Sequence, residues 1–209
     1  MCDIPKNCDE CGRFHTCVNA HYGSRYCKPI KADRGNNMNS NGIHMTGHIV
    51  DKIYKNGKLV DVIEGHNIVV NSFVKLVMAL CKGQSGYGGI KYWAVGSGET
   101  SWDTTLPNPE VNATRLTTEV GRVAIAESDI SFLNSDMSES STPTNIIRIK
   151  HVFGANDCNG KWREFGIFGG DATGTANSGI MINKRHHSLI NKTSDMSIER
   201  TMTFTLNLV

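Results

Sequence analysis

The sequence has no long apolar run. Nowhere do its residues approach the roughly 18 consecutive apolar positions that a membrane-spanning helix needs, and its first residues are polar and cysteine-rich where a signal peptide would be apolar. The expectation is a chain made and kept soluble in the cytoplasm until it joins something larger, without a membrane partner. Charge of one sign is lacking as well. Lys and Arg number 22 against 20 Asp and Glu, and the resulting net charge of +2 gives no electrostatic basis for a long nucleic-acid footprint. No heptad or internal repeat is visible, which argues against a coiled-coil stalk or a solenoid. Close pairs of carboxylates, a Ser-His-Asp order, H-E-x-x-H and a nucleophile elbow are all missing, so no enzyme is expected. The lone G-x-G of Gly96 to Gly98 has no helical phosphate site after it and reads as the opening of a loop.

Cysteine is where the chain is rich. Five of its seven cysteines, Cys2, Cys8, Cys11, Cys17 and Cys27, fall in the first 27 residues. Without an export signal such a cluster points to metal more than to disulfides. Cys8-x2-Cys11 followed by Gly12 has the form of a zinc knuckle, a tight turn that aims two thiolates at one ion. Cys17 with Cys27, Cys17 with His21, or Cys2 could complete the site. The set Cys8, Cys11, Cys17 and Cys27 around a structural zinc is the preferred reading, with an iron–sulfur cluster or unliganded thiols as alternatives. Metal would supply most of the stability of so short a module. Lys6, Arg13, Arg25, Lys28, Lys31 and Arg34 make this end more basic than the rest, but Asp3, Asp9, Glu10 and Asp33 dilute the effect. Cys81 and Cys158 stand alone and are expected only to pack.

At 209 residues the chain can hold one domain and a small appendage. The division expected is a Cys-rich module over residues 1–27, an Asn/Gly/Ser/Lys-rich linker over 28–47, and a β domain over 48–209. Within that domain His48 to Tyr54 and Lys58 to Ile63 flank Asn56-Gly57, the signature of a hairpin with a type I′ turn. Phe73, Val74, Val77, Met78 and Cys81 recur at helical spacing, with Asn71 placed to cap the helix and Gly83 to stop it. Ile90 to Val95 reads as a strand. Ser101 to Asn112, with Trp102 and two prolines, reads as a long loop anchored by its aromatic ring. Trp102 is either a plug in its own core, which is preferred, or an anchor for a partner. Asn145 to Phe153 alternates as a strand does, and the neighbouring His186 and His187 should point to opposite faces, too far apart to share a metal.

The last stretch is the most regular. Trp162 to Phe168 sets one carboxylate, Glu164, inside an apolar run, where it must be paired or wet. Arg200 is the candidate partner, in an ion pair that would fix register more than add stability. Ser178 to Asn183 follows as a short strand. The chain then alternates from Met196 to Leu208, with Met196, Ile198, Met202, Phe204, Leu206 and Leu208 on one side and Arg200 as the only break. Seven or eight strands, one helix and long loops imply a mainly β fold, an antiparallel β-sandwich or flattened barrel.

The order R-E-F-G-I-F-G-G, G-I-M-I-N and I-E-R-T-M-T-F-T, preceded by A-V-G-S-G at Ala94 to Gly98 and T-R-L-T-T-E-V-G-R at Thr114 to Arg122, is similar to a family of phage virion proteins. These are tail-fibre or baseplate-attachment proteins from phages of Gram-positive bacteria, and the likeness runs from about Gly47 to the C-terminus. It implies a structural protein located in the virion, made in the host cytoplasm, that docks to other virion proteins and forms homo-oligomers. The alternatives are a capsid decoration or head-fibre protein, and a zinc-stabilised accessory protein that binds nucleic acid.

Overall fold

The computed structural model describes residues 42–208, which fall in one compact unit of the chain. Cys2, Cys8, Cys11, Cys17, Cys27 and His21, and most of the expected linker, lie outside the described residues. Ten strands and one α-helix follow in the order β1 (Ile43–Lys55), β2 (Lys58–Val69), α1 (Phe73–Lys82), β3 (Gly88–Gly96), β4 (Glu119–Ala124), β5 (Ile130–Leu133), β6 (Glu139–Ser140), β7 (Ile146–Phe153), β8 (Gly160–Gly170), β9 (Ile180–Lys192) and β10 (Met196–Leu208). The mainly β fold with one short helix is therefore as expected. β1 begins at Ile43, inside the stretch expected as linker, because Ile43 to Gly47 pair with Leu208 to Phe204 of the terminal strand.

All strands join one sheet in the order β4-β3-β8-β9-β2-β1-β10-β7-β5-β6, and every neighbouring pair is antiparallel. β4 and β6 end the sheet without pairing to each other, so the expected flattened barrel is corrected to an open sheet. β2 belongs to both halves. Its residues Lys58 to Asn67 pair with β1, while only Ile68 and Val69 pair with β9.

Local chemistry explains the turns. Asn56 and Gly57 both take positive φ, 49° and 75°, as a type I′ hairpin turn requires. Gly83 ends α1 in the left-handed region, with backbone N–H contacts to the carbonyls of Ala79 and Leu80. The cap at the other end differs from expectation. Ser72 occupies the N-cap, its hydroxyl donates to Met181 O, and the Asn71 side chain bonds Asn112 instead.

Two cores result. Trp93, Phe165, Ile167, Ile182 and Ile190 of one half pack with Ile49, Ile53, Phe153, Ile198, Met202 and Phe204 of the other. Each such side chain contributes about 1.5–3 kcal/mol when fully buried. A smaller cluster of Val70, Ala94, Leu116, Phe168, Ala172 and Met181 lies apart from it. β8 is consequently closed off on both faces, and nine consecutive residues from Trp162 to Gly170 are buried.

Candidate functional site

A buried cluster of polar side chains lies beneath the segment 97–118, which joins β3 to β4. β8 and β9 place Glu164 directly opposite His186 and Gly166 opposite Lys184, so the three side chains Glu164, Lys184 and His186 share one face of the sheet. Glu164 is fully buried. Its Oε1 accepts the backbone N–H of Thr118 at 3.0 Å, and the Lys184 ammonium lies 3.0 Å from Oε2. That second approach is at ion-pair distance but off the hydrogen-bonding direction, and Oε2 has no hydrogen-bond partner. Lys184 also reaches Arg115 O and Thr117 Oγ1.

His186 Nδ1 lies 2.9 Å from Pro107 O. A carbonyl only accepts, so Nδ1 carries the proton and Nε2 presents a lone pair, 3.9 Å from Glu164 Oε2. Burial, the largest cause, pushes the His186 pKa below its ordinary value, with Lys184 adding to the shift and the Pro107 carbonyl opposing it. The Trp102 ring covers the imidazole, with centroids 4.1 Å apart. Beside them Arg163 makes a two-pronged pair with Asp103 at 2.7 and 2.6 Å and donates to Ser97 O. The hydrogen bond from Arg163 holds the Asp103 carboxyl below the usual carboxylate range.

Segment 97–118 is thus fastened at Ser97, Asp103, Pro107, Arg115, Thr117 and Thr118 by four side chains of β8 and β9. Two glycines make the fit possible. A Cβ at Gly96 would stand 2.7 Å from Glu164 Oε1, and one at Gly98, where φ is 53°, would stand 2.4 Å from the Trp102 ring. The G-x-G of the sequence therefore serves close packing of a loop.

Arg200 is not the partner of Glu164, which corrects the expected ion pair. Arg200 lies on the core face of β10 and pairs with Asp51, its register neighbour on β1, through two contacts of 2.7 Å. Its guanidinium stands 4.1 Å from the Phe165 ring centroid and 5.6 to 5.7 Å from those of Trp93, Phe153 and Trp162. Phe165 and Glu164 are consecutive residues with opposite directions, so the two charges are separated by the sheet itself.

His186 and His187 do point to opposite faces. Both side chains are covered, because β9 runs on through Lys192 and sets His186 beneath segment 97–118 and His187 in the core. His187 is 4% exposed, and burial first, then the nearby Arg200, lowers its pKa to about 4. Trp102 is half-buried against His186, and Cys158 packs against Gly121 with its thiol pushed up to about 11 by burial. Cys81 was expected to pack but is exposed. Among the described residues no group of three or more His, Cys, Asp or Glu could hold a metal ion. For the described residues the expectation of zinc is corrected accordingly. Its proposed ligands Cys8, Cys11, Cys17 and Cys27 lie outside the described residues, and metal has no part in the reading of the β domain.

No family model matches the chain. No curated protein matches it either. The reading of function therefore rests on residues and geometry.

The sequence reading names neither Lys184 and Asp103, which build the cluster, nor Asp51, the partner of Arg200 on the opposite face. Lys184 follows an apolar run and reads as the residue that ends a strand. Asp51 had a usable signal. It interrupts the buried face Ile49, Asp51, Ile53 as Arg200 interrupts Ile198, Arg200, Met202, and opposite charges breaking two apolar faces are natural partners.

Proposed function

We propose that this chain is a bacteriophage virion structural protein that docks to tail, baseplate or fibre subunits during assembly, with the two halves of its sheet stacked as a β-sandwich. The observation that carries this reading is the closed polar cluster. Glu164, Lys184, His186 and Arg163 are turned to fastening segment 97–118, and Trp102 lies over His186. Four side chains that could serve chemistry in an open cleft here hold a loop in one shape. A fixed loop with a half-exposed Trp102 suits a binding surface, since a preorganised loop loses little freedom when a partner arrives.

The stretches that carry the resemblance to tail-fibre and baseplate-attachment proteins support the same reading. Trp162 to Leu208 covers β8, β9 and β10, while Ala94 to Gly98 and Thr114 to Arg122 bracket segment 97–118. On this reading the chain catalyses no reaction, resides in the virion and acts as a repeated subunit. Electron microscopy of intact particles labelled with an antibody to this chain tests the proposal. Label at the tail end is the expected result. Label over the head would move the protein to capsid decoration or a head fibre, and unlabelled particles would leave a nucleic-acid-binding accessory role to be tested by gel shift at low salt.

A further inference from the structure

Helix α1 has a composition that does not fit its surroundings. Eight of its ten residues in FVKLVMALCK are apolar, yet only Leu76 is buried. Val74 is 64% exposed, Met78 62% and Leu80 44%. A helix that is apolar nearly all round is ordinarily covered. Beside it opens a groove of about 410 Å³ lined by Lys75, Met78, Ala79, Lys82, Gln84, Tyr87 and Ile180. Val111, 49% exposed, lies next to the helix start, because its carbonyl accepts the Asn71 N–H. An apolar floor with cationic rims is the result.

We propose that α1 and this groove dock a segment of a partner protein that carries carboxylates around an apolar anchor. The proposal rests on the docking reading and names the chemistry of what docks. The charge pattern chooses the occupant. Both cations of the groove, Lys75 and Lys82, belong to α1, and neither the helix nor the groove lining contains an acidic residue. A second copy laid helix against helix on a two-fold axis would set these lysines against themselves, which opposes association. A partner segment with Asp or Glu beside a Leu, Ile or Phe meets both demands, the anchor against Met78 and Ala79 and the carboxylates at the two ammonium groups. Lys82 already holds Gln84 Oε1 at 2.9 Å, which keeps its ammonium at the groove rim.

The test selects short randomised peptides against the immobilised full chain and measures the enriched peptides by fluorescence polarisation. The expected result is enrichment of sequences with carboxylates flanking an apolar residue. Their binding should weaken with salt and fall at least about tenfold in each of Lys82→Glu, Lys75→Glu and Met78→Ser. These positions are exposed, so a circular dichroism melt close to that of the unaltered chain keeps the comparison sound. Peptides without carboxylates, no enrichment, or binding that none of the three substitutions changes would overturn the proposal. So would a dimer in sedimentation that Met78→Ser dissociates, which would name a second copy as the occupant. Binding to phosphatidylglycerol vesicles that Lys82→Glu abolishes, with no peptide enriched, would overturn it in favour of a lipid surface. None of these readouts depends on particle labelling, so this proposal and the virion reading fail separately.

Discussion

Two broad faces of the sheet lie away from the main core, and they carry charge under opposite conditions. On β8 and β9 the outer charges Glu164 and Lys184 are sealed beneath segment 97–118, with side chains 0% and 8% exposed. On β1, β10 and β7 the outer face stays open. Glu199 stands there between Lys52 at 3.5 Å and Lys150 at 3.3 Å, beside Thr201, Thr203 and Thr205. Water stabilises the second set whether or not the ions meet. The first set has only its partners, so the same residue types make a loose surface in one place and a fixed joint in the other.

Removing one ion from each face should separate them most widely. Lys184→Met leaves the Glu164 carboxylate buried with the Thr118 N–H alone, and a broken buried pair costs about 3–5 kcal/mol. Urea unfolding should read that loss, and limited proteolysis should find new cuts within 97–118. Adding Glu164→Gln to Lys184→Met should restore much of the stability, since no buried charge is then orphaned. If Lys184→Met cost no more than a surface substitution, the sealed joint would be the wrong description.

Acid should act next most strongly, through the core face of β9. His187 has its folded pKa lowered to about 4 by burial and by Arg200, against an ordinary 6.5. Between those values the unfolded chain binds a proton that the folded chain refuses, so stability falls as pH drops from 6.5 toward 4 and levels off below. The contribution is about 3 kcal/mol over that window. Other groups titrate there too, so the informative quantity is the difference between the unaltered chain and His187→Gln. Unfolding at pH 7 and pH 4.5 should show a shallower loss in the variant.

A smaller effect belongs to the joint's tight corner. Gly98→Ala asks a Cβ to adopt φ 53° and to stand against the Trp102 ring. The conformational term alone is about 1–2 kcal/mol. Trp102 fluorescence should shift to the red as the ring leaves His186, while Gly57→Ala, with nothing within 4 Å of the new methyl, should show the strain without that shift.

The same contrast decides what the sequence could tell. The open face was legible because one side of β10 is wet. Ile198, Met202 and Phe204 are buried and Thr201, Thr203 and Thr205 are not, so the alternation announced the strand, its direction and the oddity of Arg200. β8 gave no such signal. Both of its faces are covered, and irregular register between Trp162 and Glu164 and between Ile167 and Phe168 shifts the parity that alternation would need. The apolar run therefore shows that Glu164 needs a partner but not on which side of the sheet it lies, and the expected Arg200 stands on the other side. Which loop covers which strand is a long-range fact that local periods do not encode. Lys184 and Pro107 could not have been joined to it in advance.

The smallest prediction tests the open face itself. Lys150→Met removes one of the two cations at Glu199, but the ammonium is half exposed and Lys52 remains on the other side. Exposed pairs of this kind contribute about 0–1 kcal/mol, and the new Met side chain lies on a strand whose neighbours are already solvated. The unfolding midpoint should hardly move, and raising the salt concentration should lower it slightly less in the variant, which keeps only the Lys52 pair at Glu199, than in the unaltered chain. A loss as large as that of Lys184→Met would mean that the outer face of β7 and β10 is covered in solution. That would turn the comparison round, because a face that behaves as sealed must have something sealing it, and a second surface would join α1 as a place where partners sit.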